Sequence, residues 1–156
     1  MKILIVEDDE DKRRQISEFL ATIVPDLKLN EARSLQSGLH SIMAKAHELV
    51  VLDMTMPTFD ITAEENGGRP QAYAGRELLR HMKRRNIRTP AIVLTQFDRF
   101  GKGADSLTLE ELDKELRASH SEYYLGTVYY SVTYEGWKEQ LANLIRSVQL
   151  RSEASN

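Results

Sequence analysis

Apolar residues fall along this chain in two alternating rhythms. Ile3-Leu4-Ile5-Val6 and Leu49-Val50-Val51-Leu52 are unbroken apolar runs, rich in β-branched residues and too short for helices. Each predicts a strand buried on both faces. The first stops on Glu7, Asp8 and Asp9, and the second stops on Asp53. Pro90 to Thr95 and Tyr123 to Tyr130 predict two more strands, and Leu27, Leu29 and Ala32 alternate as a short one. Between these runs the rhythm changes to that of amphipathic helices. Ile16, Phe19, Leu20 and Ile23 form one stripe, closed by Pro25. Leu35, Leu39, Ile42, Met43 and Ala46 form a second behind Ser34, a residue suited to an N-cap. Leu78, Leu79 and Met82 mark a third helix starting near Gly75. Leu109, Leu112 and Leu116 mark a fourth behind the capping-box pair Thr108 and Glu111. Trp137, Leu141, Leu144, Ile145 and Val148 stripe the last.

Five alternations of strand and helix predict an α/β, doubly wound, five-stranded parallel sheet with helices on both faces. The flavodoxin-like order 2-1-3-4-5 sets strands one and three side by side, where the strand order reverses and ligands bind at the carboxyl ends. Glu7, Asp8 and Asp53 then converge at one end of the sheet. Carboxylates that close repel one another unless protonated or joined by a cation, and an all-oxygen cluster suits Mg²⁺. The pattern is that of a single domain over residues 1–150, followed by a polar tail at 151–156. Two long irregular connections interrupt it, at 54–74 (with Pro57, Gly67, Gly68 and Pro70) and at 96–106 (with Gly101 and Gly103). Connections of that length are usually functional or disordered.

Composition narrows the function classes. With 156 residues and no cysteine, the chain has a core large enough to fold unaided and no disulfide, thiol or zinc-ribbon chemistry. No apolar run is long enough for a membrane span or a secretory signal, so a cytoplasmic location is expected. The formal net charge of −3 gives no broad attraction to nucleic acid. Arg76, Arg80, Lys83, Arg84, Arg85 and Arg88 make one basic patch, read as a solvated helix face. His40, His47, His81 and His120 show no metal-ligand spacing.

Ile3 to Asp8, Val51-Leu52-Asp53-Met54-Thr55-Met56-Pro57 and Pro90 to Thr95, in that order and at strand ends, resemble the receiver domains of two-component response regulators. The resemblance implies a stand-alone module in a phosphorelay, itself not an enzyme. Asp53 would accept a phosphoryl group from a sensor histidine kinase or phosphotransfer protein, and output would pass through protein contacts. It also implies Mg²⁺ held by Glu7, Asp8, Asp53 and the backbone carbonyl of Thr55, with the Thr95 hydroxyl contacting the phosphoryl group. Two positions depart from the family. Its members carry a lysine near the end of strand five, followed by proline, where this chain has Tyr129, Tyr130 and Ser131. The residue after the Ser/Thr is usually small, and here it is Gln96. The metal half of the site is kept, while the half that senses the phosphoryl group is altered.

Two other classes compete. A pseudo-receiver would keep the fold as an interaction module without being phosphorylated, which the missing lysine favours and the acid triad opposes. A phosphatase using an aspartate nucleophile of the haloacid-dehalogenase type needs a second acid two residues on, where Thr55 cannot protonate a leaving group at neutral pH. Binding of FMN is opposed by the acids after strand one, which repel a phosphate lacking a metal.

Overall fold

The computed structural model describes residues 1–62 and 70–154. The main sheet consists of β1 (Lys2–Val6), β2 (Lys28–Ala32), β3 (Leu49–Leu52), β4 (Ala91–Thr95) and β7 (Tyr124–Tyr129). Its order is β2-β1-β3-β4-β7 and every pair is parallel, the order expected with β7 as the fifth strand. The helices are α1 (Glu10–Ile23), α2 (Leu35–Ala44), α3 (Ala74–Arg84), α4 (Leu109–Ser119) and α5 (Gly136–Ala154).

Side chains alternate across the sheet, and each face has its own core. Leu4, Val6, Val50, Leu52 and Val93 pack with residues of α2, α3 and α4. Ile3, Ile5, Leu49, Val51, Ile92 and Leu94 pack on the other face with α1 and α5, including Trp137. The central strands β1, β3 and β4 are thus covered on both sides, which is why polar residues occur in them only at the ends, Lys2 of β1 and Thr95 of β4. The expected helix starts hold. Ser34 caps α2 and Thr108 caps α4, each closing a capping box, and Asp9 caps α1 through the amide of Lys12. Asn86, at φ 56°, ends α3 in a Schellman turn, with Ile87 N–H on Met82 O at 2.9 Å.

Two irregular stretches carry more structure than periodicity reveals. The 96–106 connection contains β5 (Arg99–Phe100), a 3-10 turn at Gly103–Asp105 and the start of a short antiparallel pairing with β6 (Leu107–Thr108). Strands of two residues are too short to show any alternation. The connection after β3 is pinned at both ends. Pro57 O and Thr58 O accept the Leu35 and Gln36 amides, and Met56 bridges Gln71. Residues 63–69, with Gly67 and Gly68, lie outside the described residues. At the other terminus, the polar residues from Arg151 continue α5 as far as Ala154. The arginine patch is tied down, with Arg76 paired to Glu115, Arg80 to Glu77 and Arg88 to Glu122.

His120 is a packing residue. It is buried beyond α4, with Nδ1 2.6 Å from the Tyr123 hydroxyl, which donates to Leu79 O at 3.2 Å. Burial lowers its pKa, Lys83 and Arg80 lower it further, and Glu115 opposes them. A histidine whose folded pKa is depressed stabilises the fold above its unfolded value, and that contribution is lost as pH falls through the folded value. The stability gap between wild type and His120→Gln should therefore be largest near neutral pH and shrink below about pH 6.5. Paired urea titrations giving a constant gap down to about pH 5 would contradict this assignment.

Candidate phosphoacceptor and metal site

Strand alternation decides where the acids point. Glu7 follows Val6 and Asp53 follows Leu52, and those two apolar residues face α2, α3 and α4. One step further, the carboxylates turn to the α1 side, beside each other because Val6 and Leu52 are in register. Glu7, Asp8 and Asp53 each offer an oxygen, and the three oxygens lie within 4.8 Å of one another. Glu7 and Asp53 are buried, and Asp8 is half-buried.

The main chain holds Asp53 firmly. Its Oδ1 accepts Met54 N–H at 2.6 Å and Thr55 N–H at 3.4 Å. Behind it, α3 begins directly against the β3 exit, with Gly75 N–H on Met54 O at 2.9 Å. Thr55, the expected carbonyl ligand, is further fixed by its hydroxyl on Ala72 O at 3.3 Å. Thr95 is fully buried at the end of β4, its hydroxyl accepting Phe97 N–H at 3.3 Å and its carbonyl accepting Tyr130 N–H at 2.7 Å. Gln96 beside it is exposed.

Lys12 was not among the expected site residues. Its side chain, 2% exposed, runs from the first turn of α1 into the acid cluster. Nζ donates to Asp53 Oδ2 at 3.0 Å and to Leu94 O at 2.8 Å, and lies 2.7 Å from Glu7 Oε2. The strand-five lysine is absent as expected, and the ammonium found among the acids comes from α1. Lys102 is exposed on the 96–106 connection. One signal was available in the sequence. Lys12 stands one helical turn before Ile16, on the same stripe as Ile16 and Leu20, where a surface lysine does not belong. A cation in a helix's first turn also opposes the macrodipole.

One ammonium does not balance three acids. Glu7 Oε1 accepts Asp9 N–H at 3.1 Å, and the buried Oε2 faces the Lys12 ammonium at 2.7 Å. Burial pushes the Glu7 carboxyl up to about 8, Lys12 pulls against that shift, and Asp53 adds to it. Asp8 is also raised, again chiefly by burial. For Lys12, burial works against the charge, but Asp53 and Glu7 outweigh it and hold the ammonium protonated. The donor set is all oxygen, three carboxylates within 4.8 Å with one ammonium among them, and this fits a hard divalent cation such as Mg²⁺.

The chain is similar to proteins of one family. Residues 3–111 match the response regulator receiver domain. The uncharacterized protein y4jR of Sinorhizobium fredii is 34% identical over 145 residues, covering 92% of this chain and 95% of its own. The Detocs response regulatory protein DtcB of Enterobacter cloacae is 29% identical over 147 residues, covering 93% and 98%. Among solved structures, the receiver domain of the Francisella response regulator 1452 superposes with a TM-score of 0.61 at 22% identity, covering 97% of this chain and 98% of that one. The Mn²⁺-bound form of the response regulator Rcp1 gives 0.60 at 20% identity, covering 92% and 90%. The match over most of the chain, on a sheet of the same strand order, makes this protein a member of the response regulator receiver domain family.

Proposed function

We propose that this chain takes a phosphoryl group on Asp53 in a phosphorelay and passes the signal on through protein contacts. The observation that carries the reading is the convergence of Glu7, Asp8 and Asp53 at adjacent strand ends, with Asp53 Oδ2 turned to an ammonium. Asp53 Oδ2 attacks the phosphorus of a phosphohistidine. The new P–O bond forms as the P–N bond breaks, and the electron pair leaves with the imidazole nitrogen. The product is an acyl phosphate, which retains high transfer potential. Such a transfer needs an aligned nucleophile and charge neutralisation on the equatorial oxygens.

Mg²⁺, held by Glu7, Asp8, Asp53 and the Thr55 carbonyl, would supply neutralisation that lets an anionic donor approach the acids. The chain's own residues do the rest. The Met54 and Thr55 amides orient the nucleophile, and Thr95 stands at the neighbouring strand end to receive a phosphoryl oxygen. Partner docking is supported by Phe59, Ile61, Phe97, Val132 and Tyr134. All are exposed, and all lie on connections leaving the carboxyl ends of the strands. The partners are a sensor histidine kinase or phosphotransfer protein upstream and a further protein downstream. Among the described residues, no helix is long and apolar enough to cross a membrane.

The test is to incubate the protein with Mg²⁺ and acetyl phosphate and weigh it. Wild type should gain one phosphoryl group and Asp53→Asn none. An unmodified wild type would leave the fold as an interaction module that is not phosphorylated.

A further inference from the structure

We propose that Lys12 is the phosphoryl counter-ion of this site, a catalytic lysine delivered by α1 instead of the last strand. The inference rests on Asp53 being the phosphoacceptor. Its ground is the division of labour between the two Asp53 oxygens. Oδ1 is occupied by two main-chain amides, whereas Oδ2 has the Lys12 ammonium at 3.0 Å. A phosphoryl group joined to Oδ2 brings its equatorial oxygens into reach of the ammonium already touching that atom.

Three further observations point the same way. The ammonium is held at the ends of three strands at once, by Glu7 after β1, Asp53 after β3 and Leu94 in β4. The Tyr130 ring, at the end of β7 where the family lysine would stand, lies 5.5 Å from Nζ. Lys12 thus occupies the space next to that absent side chain. A cleft of about 290 Å³, lined by Asp9, Lys12, Gln96 and Tyr130 among others, borders the Lys12 side chain.

The charges also add up. Glu7, Asp8 and Asp53 carry three negative charges when ionised, and Lys12 carries one positive charge. Mg²⁺ held by these carboxylates would supply the remaining positive charge, which leaves the Lys12 ammonium, already on Asp53 Oδ2, as the protein's own cation facing the phosphoryl position. Hydrogen bonds to a charged acceptor are the strong class, so loss of this one should weaken retention of a phosphoryl mimic roughly ten- to a hundred-fold.

The experiment compares the full chain with Lys12→Met, which keeps the aliphatic stem and removes the charge. Mg²⁺ affinity is measured by isothermal titration, and capture of beryllofluoride, a tetrahedral mimic of the aspartyl phosphoryl group, is followed by fluorine NMR. The expected result is a split of opposite sign, with Mg²⁺ bound at least as tightly by Lys12→Met and beryllofluoride held at least ten-fold more weakly. A lysine that merely bolts α1 to the sheet would weaken both together, and that outcome overturns the proposal. Equal beryllofluoride capture by the two proteins overturns it as well. A second readout needs no variant. In wild type with Mg²⁺ and beryllofluoride, the bound fluorines should cross-relax with the side-chain protons of Lys12, and bound beryllofluoride without that contact refutes the assignment. A wild type that takes up no beryllofluoride at all refutes the phosphoacceptor reading of Asp53 instead, and this proposal with it.

Discussion

Gly75→Ala is expected to destabilise the fold by about 3 kcal/mol, the upper end of the cost of overpacking. A Cβ at this position would collide with the carbonyl oxygen of Asp53, and would stand 3.0 Å from Met54 Cα and 3.2 Å from the Asp53 carbonyl carbon. All three are main-chain atoms, so no rotamer change relieves the contact. The helix must back away from β3, and the Gly75 N–H to Met54 O bond at 2.9 Å goes with it. The better helix propensity of alanine returns less than about 1 kcal/mol. Gly38→Ala is the control. Its Cβ would meet the two Val6 methyls at 2.9 and 3.2 Å, side-chain atoms rather than main chain, so the contact displaces no backbone directly. Urea midpoints should therefore fall much further for Gly75→Ala than for Gly38→Ala. Equal midpoints would mean that α3 does not set the position of the Asp53 backbone. Because the displaced atoms carry Asp53, phosphoryl capture should fall along with stability.

The parts of this molecule that were legible in advance are those governed by local rhythm. Unbroken apolar runs such as Leu49 to Leu52 predict buried parallel strands, and stripes such as Trp137, Leu141, Ile145 and Val148 predict the helices that cover them. Acids placed at the ends of such runs meet because parallel strands share an end, so Glu7, Asp8 and Asp53 were legible too. The hairpin of Arg99–Phe100 with Leu107–Thr108 was not, since two residues show no period and the pairing depends on Tyr73 packing beneath it, its hydroxyl on Phe100 O and Asp105 O. Lys12 was missed for a different reason. A lysine beside Asp11, Arg13 and Arg14 looks like solvated helix surface, yet Lys12 and Arg13 are both buried, and it is the angular position of residue 12 on α1 that aims it into the acids. The same helical phase that turns Ile16 and Leu20 into the core turns Lys12 toward the strand ends. The function of a site built across elements depends on such phases, which a search for a lysine at the end of the last strand does not test.

Mg²⁺ should stabilise the folded protein by about 2.7 kcal/mol at a hundred-fold excess over its Kd, because it binds the native state alone. For a chain of this size each kcal/mol moves Tm by about 2–4 °C, so a shift of roughly 5–10 °C is expected. The physical source is the shortage of positive charge in the site. Burial, together with the Asp53 charge, raises the Glu7 carboxyl to about 8 despite the neighbouring Lys12, and Asp8 is raised as well. A divalent cation removes that strain where one ammonium cannot. Asp8→Ala is the informative variant. Asp8 is half-buried and outside the Lys12 contacts with Glu7, Asp53 and Leu94, so its loss removes no ligand of the ammonium. The variant should fold with an unchanged or higher Tm in chelator and lose most of the gain from Mg²⁺. Sodium chloride at matched ionic strength separates site binding from general screening, which weakens repulsion between charges without occupying the site. A Tm that rises equally with the sodium salt, or equally in Asp8→Ala, would place the stabilising ion somewhere other than the three carboxylates.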